Sequence, residues 1–141
     1  MKAFIVQFPF GVAAFDEKNS LIEKALFPKK PQAAAKSLLR AESGKLSDQT
    51  TSLITLLKNA GYDTFVFSNA KLAEEAQKKL DVTVEVATPA QAAVHSAKMS
   101  EVALESGFAS NQQELDTWNR NVSMELSKLR IKGATGKRDL I

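Results

Sequence analysis

Residues 2–8 carry apolar side chains on both faces of an extended segment, with Ala3 and Ile5 on one and Phe4, Val6 and Phe8 on the other. A strand that is apolar on both faces must be covered on both, so this segment is predicted to be a buried central strand. Pro9-Phe10-Gly11 supplies turn chemistry. Residues 12–15 predict a second short strand, 16–20 a polar turn and 21–26 a third strand. Three strands joined by short polar turns make an antiparallel meander.

Past Phe27-Pro28-Lys29-Lys30-Pro31 the period lengthens. Ala34, Leu38 and Ala41 recur at helical spacing up to Gly44. Residues 48–60 place Leu53, Leu56, Leu57 and Ala60 on one stripe, ahead of a Gly61 suited to a left-handed cap. Residues 62–67 predict a fourth strand, with Phe65 and Phe67 on one face and Val66 opposite, and residues 70–80 a helix burying Leu72, Ala73, Ala76 and Leu80. Val82, Val84 and Val86 alternate with Thr83 and Glu85, the period of a half-exposed edge strand.

Thr88, Pro89 and Gln91 form a capping box with proline at the first helical position, and Ser110 with Gln113 a second box. The helix opened by the first box ends at Gly107. The helix opened by the second puts Leu115, Trp118, Val122, Leu126 and Leu129 on one stripe. The predicted fold is α/β: a small mixed sheet, an N-terminal antiparallel three-strand meander plus two further strands, flanked by helices. Residues 1–107 form the α/β N-terminal domain, and 108–141 a helix and basic linker. Lys137-Arg138-Asp139-Leu140-Ile141 turns from charged to apolar with no stop signal. That pattern predicts a helix cut partway, in a protein that continues into another domain.

Composition narrows the function classes. An apolar fraction of 44% with 25% charged residues suits one folded domain at 141 residues. The absence of cysteine excludes a disulfide scaffold, a cysteine zinc site and a cysteine nucleophile. No stretch approaches the roughly 18 apolar residues of a membrane span. The apolar start is interrupted at Gln7, Pro9 and Gly11, too early for a secretory signal, so a cytoplasmic protein with no membrane partner is expected. From Arg120 onward six basic residues face two acidic ones, so this stretch carries +4 and the rest −1 of the net +3. A basic stretch on a near-neutral body suits proximity to RNA, through Lys128, Arg130, Lys132, Lys137 and Arg138, or simply a solvated helix face.

Catalytic chemistry is sparse. The single histidine, His95, sits inside a predicted helix, where a surface or helix-packing role is expected. With no cysteine beside it, it cannot assemble a usual zinc site. Asp16-Glu17 lies in a polar turn and Glu74-Glu75 on a lysine-rich helix face, both suited to solvation and charge pairing. Gly133-Ala134-Thr135-Gly136-Lys137-Arg138 ends like a phosphate-binding loop. It has Ile131 where the first glycine belongs and Arg138 where a hydroxyl belongs, so the motif fails twice.

The chain resembles the N-terminal domain of the Nop family, the core scaffold proteins of box C/D guide-RNA particles. The resemblance rests on the first strand, then Gly11-Val12-Ala13-Ala14-Phe15-Asp16-Glu17, Leu21-Ile22-Glu23-Lys24 and Leu26-Phe27-Pro28-Lys29. Glu42-Ser43-Gly44-Lys45-Leu46, Gly61-Tyr62-Asp63 and the closing Lys137-Arg138-Asp139-Leu140-Ile141 continue it in order across nearly all of the chain. The compact length, without long insertions, looks archaeal.

The resemblance implies a non-catalytic adaptor that binds fibrillarin, the methyltransferase that modifies RNA ribose 2′-hydroxyls. The domain itself needs no cofactor; S-adenosylmethionine belongs to fibrillarin. Pairing of two copies through a coiled coil, and docking on guide RNA with a kink-turn-binding protein, fall to domains this chain lacks. Loop placement beside prolines and at the sheet edge makes Phe10, Phe27 and Tyr62 the expected partner anchors. One rival is a nucleic-acid-binding module using the basic C-terminal stretch. A second is a small α/β enzyme, which requires a deep pocket with a carboxylate beside His95.

Overall fold

The computed structural model describes residues 1–139, with side chains described through Lys132. Leu140 and Ile141, and the side chains of Lys137 and Arg138, lie outside the described residues. The element order is β1 (Lys2–Phe8), β2 (Gly11–Phe15), β3 (Leu21–Leu26), α1 (Pro31–Glu42), α2 (Asp48–Asn59), β4 (Thr64–Phe67), α3 (Ala70–Leu80), β5 (Thr83–Val86), α4 (Pro89–Ser96), α5 (Met99–Glu105) and α6 (Gln112–Asp139). The five strands form one mixed sheet in the order β3-β2-β1-β4-β5. β1 is central, antiparallel to β2 and parallel to β4. The meander and the edge position of β5 follow the sequence pattern.

Two cores follow from the two apolar faces of β1. Ala3 and Ile5 join Phe65 and Phe67 under α2 and α3, with Leu53, Ile54, Leu57, Leu72 and Ala76. On the other face Phe4, Phe8, Phe15 and Val66 pack with Val102 of α5, Leu115 of α6 and Phe108 of the connection between them. Each fully buried side chain of this size contributes about 1.5–3 kcal/mol of apolar transfer free energy. A third cluster, Phe27, Ala34, Ala35 and Val122, seals α6 onto α1, with Leu38, Leu126 and Leu129 at its margin. The small alanines let the two helix backbones approach. α6 therefore docks on the body through the stripe its sequence displays.

Three local expectations need correction. The inward stripe of α2 is Thr50, Leu53, Ile54 and Leu57, one step round from the expected face, which leaves Leu56 52% exposed and Ala60 on the surface. Thr50 turns inward because its hydroxyl pairs with that of Ser47, the N-cap, at 2.9 Å. The helix expected from Thr88 to Gly107 is broken at Ala97-Lys98 into α4 and α5, although its capping box forms as read. The last helix is capped by Asn111 and not Ser110: the Asn111 side chain accepts from the Glu114 N–H at 2.8 Å.

At Gly11 the β2–β3 ladder closes tightly. A Cβ there would lie 2.5 Å from the Ala25 carbonyl oxygen and 2.9 Å from the Leu26 Cα, both backbone atoms. Gly11→Ala is expected to destabilise the domain by about 1–3 kcal/mol, read as a lower urea midpoint at unchanged slope.

Candidate functional site

The β3–α1 connection and the α5–α6 corner meet over the β1–β2 turn. The Phe27 N–H donates to the Phe10 carbonyl at 2.9 Å, which fixes the start of the connection and so places Lys29. At the corner Gly107 has φ +74, a left-handed turn open to glycine, and it delivers Phe108 inward. Phe8, Phe10, Phe108 and Trp118 form a continuous aromatic run with successive ring separations of 5.3, 5.3 and 5.0 Å. The Trp118 indole N–H donates to the Pro9 carbonyl at 3.0 Å, so the ring is held at both its polar and apolar ends. Lys29 lies over the Phe108 ring, its Nζ 5.1 Å from the centroid.

Between these parts runs a groove of about 270 Å³ lined by Lys29, Phe108, Ala109, Glu114, Thr117, Trp118 and Asn121. Its floor is aromatic and its rim carries one cation and one anion. Such a surface accepts an apolar side chain and steers its orientation by charge. Lys29 and Trp118 were legible only as a charged loop position and a member of a packing stripe. The fold alone brings together positions so distant along the chain.

The sequence-predicted anchors are dispersed. Phe10 is 1% exposed and Phe27 3%, so both plug cores and neither side chain is presented to a partner. Burial wins because Phe10 stacks within the aromatic run and Phe27 closes the α1–α6 seam. Tyr62 is half-buried against the α2–α3 core, beside an ion pair between the amino terminus and Asp63 at 3.0 Å. That ammonium holds the Asp63 carboxyl below the usual carboxylate range. On α6, Lys128 pairs with Glu125 at 3.4 Å and Arg130 pairs with Glu42, while Lys132 is exposed. The two pairs partly neutralise the basic face.

His95 does not lie at the surface: it is 2% exposed, its ring between those of Phe4 and Phe15 at 5.0 and 4.9 Å. It lines a cavity of about 110 Å³ whose other lining residues include no carboxylate, the partner the enzyme reading requires. Burial, with the nearby Lys98 charge, pushes the His95 pKa down, against an opposing hydrogen bond to the Gln91 carbonyl. All five strand phenylalanines are buried, leaving none as an exposed stacking platform of the kind a single-strand-binding sheet uses. Among the described residues no cluster of three or more His, Asp or Glu could hold a metal, and no helix is long and apolar enough to cross a membrane.

Residues 2–132 match the family model described as the archaeal Nop5/56-related N-terminal domain. The fold is similar to the solved structure of the Methanocaldococcus jannaschii Nop N-terminal domain, with TM-score 0.59 and 14% identity over 94% of this chain and 98% of that one. No curated protein matches the chain.

Because His95 resists protonation in the folded state, the unfolded chain binds the extra proton below its ordinary value of about 6.5. Stability is therefore expected to be full above that pH. It should fall as pH drops toward the lowered native value, by at most about 1.4 kcal/mol per pH unit from this group. Urea midpoints between pH 7.5 and 5 should flatten in His95→Phe relative to the unmodified chain, conditions chosen around the histidine range.

Proposed function

The chain belongs to the archaeal Nop5/56-related N-terminal domain family, and from that membership we propose that it is a non-catalytic adaptor of box C/D guide-RNA particles. Its partner in this reading is fibrillarin, which it holds near the guide–target duplex for 2′-O-methylation of RNA. The domain supplies placement, raising the effective concentration of methyltransferase at its target, and S-adenosylmethionine stays with the partner. Residues 1–107 act as the α/β body, and 108–141 as the helix and basic linker leading toward the pairing segment of such proteins. Self-association and docking on guide RNA with a kink-turn-binding protein belong to those further segments. The setting is the cytoplasm.

The observation that carries the proposal is the Lys29–Phe108–Trp118 groove, an aromatic floor in which Trp118 is anchored by its indole hydrogen bond, with a charged rim. Tryptophan in a well-packed setting is the residue type most enriched among binding hot spots. Tyr62 lies on the other core and is a secondary contact in this reading. The basic α6 positions Lys128, Arg130 and Lys132 would face RNA in the assembled particle; the side chains of Lys137 and Arg138 lie outside the described residues.

Calorimetric titration of the chain into archaeal fibrillarin is expected to give one-to-one binding. Thr117→Arg, on the exposed face of the groove, should weaken it by about 2 kcal/mol while leaving the urea midpoint unchanged. Undiminished binding by that variant would move the interface elsewhere. Absence of binding by the unmodified chain would remove the adaptor reading. Tight, steeply salt-dependent binding of RNA by the chain alone would favour the nucleic-acid module instead.

A further inference from the structure

The cavity beside His95 lies where the sheet changes direction. After β1 the chain builds outward through β2 and β3 on one side, then returns and builds outward through β4 and β5 on the other. Crevices at the carboxyl ends of strands flanking such a reversal are recurrent ligand sites in open α/β sheets. Here β4 ends at Phe67, the partner of Ile5, so Val6 and Gln7 of β1 continue with no strand beside them on that edge. Ser68 and Ala87, the residues directly after β4 and β5, line the space so created, and α4 covers it with Ala92, His95 and Ser96.

Two buried polar atoms on residues lining this cavity are unaccounted for, the His95 Nε2 and the Gln7 Nε2. The His95 Nε2 makes no hydrogen bond, although the residue is 98% buried by its 2% exposure. Buried polar atoms are nearly always paired, so an orphan on a cavity wall points to an occupant. A neutral imidazole Nε2 accepts a hydrogen bond in one tautomer and donates one in the other, and the Gln7 Nε2 is a donor. No charged side chain lines the cavity, so an ionic guest would be desolvated without compensation. The exposed Ser68 and Ser96 at its mouth add hydroxyls, while Phe4, Val6 and Val66 supply apolar wall.

We propose that this cavity binds a small neutral molecule whose hydroxyl or amide group hydrogen-bonds His95 Nε2 and the Gln7 amide and whose apolar body faces the Phe4–Val66 wall. At about 110 Å³ it admits a guest the size of a short alcohol or a simple carboxamide. The site is separate from the adaptor groove, shares no lining residue with it, and stands whether or not fibrillarin binds there.

The test is a titration of the intact chain with propan-2-ol and with acetamide, following the ¹⁵N signals of the His95 ring at about pH 7.5, where it is neutral. A saturable shift of Nε2 is expected with at least one probe. His95→Phe should weaken that probe's saturation, followed on backbone amides around Ser68, by about tenfold or more. Ala92→Phe fills the cavity from α4 and should abolish saturation while the histidine remains, which decides the matter if His95→Phe fails to fold. Linear, non-saturating responses to both probes, or a cavity occupied by water only, would overturn the proposal. Equal saturation in a folded His95→Phe would also do so.

Discussion

Everything in this domain depends on a central strand that is apolar on both faces. β1 cannot be stable with either side in water, and its neighbours extend the same demand across the sheet: Phe65 and Phe67 on one face, Phe15 and Val66 on the other. α2 and α3 cover the first face. The second is covered only by elements that come last in the chain, α4 to α6. The C-terminal third is thus part of the core, and the sheet is not complete without it.

That dependence explains the weight on the α6 seam. Trp118 packs at the margin of two cores at once, the aromatic one around Phe108 and the seam around Val122, and its indole N–H ties the helix to the β1–β2 turn at Pro9. By contrast, the described ion pairs are solvent-exposed and worth little individually. Apolar packing positions α6 on the body. A helix welded to a sheet by packing holds its position more firmly than one tethered by surface charge.

The two concave features differ in chemistry as they differ in construction. The groove at Lys29 and Trp118 is wide, aromatic and charge-rimmed, suited to a protein side chain. The cavity at His95 is smaller, lined without charge and by residues with two unpaired nitrogens, those of His95 and Gln7, suited to a small neutral guest. The cavity's lining places no carboxylate beside His95, and the groove carries Lys29 and Glu114 at its rim.

The sequence by itself determined the elements, the class of fold and the central place of β1. Strand and helix periods are local, and the alternation of Phe65, Val66 and Phe67 across two faces is fixed by backbone geometry wherever that strand sits. It also held the Thr88 capping box and the apolar stripe of α6. It did not show that Phe10 and Phe27 are buried, because proline-flanked loop aromatics look alike whether they seal a core or face outward, and only long-range packing distinguishes the two. It likewise missed the rotated stripe of α2, set by the Ser47–Thr50 hydroxyl pair, and the burial of His95 between Phe4 and Phe15. The tertiary structure alone decided where concavities fall. The groove joins residues from positions 29 to 121, and the cavity exists because β4 is shorter than β1, so both arise from how distant elements end against one another.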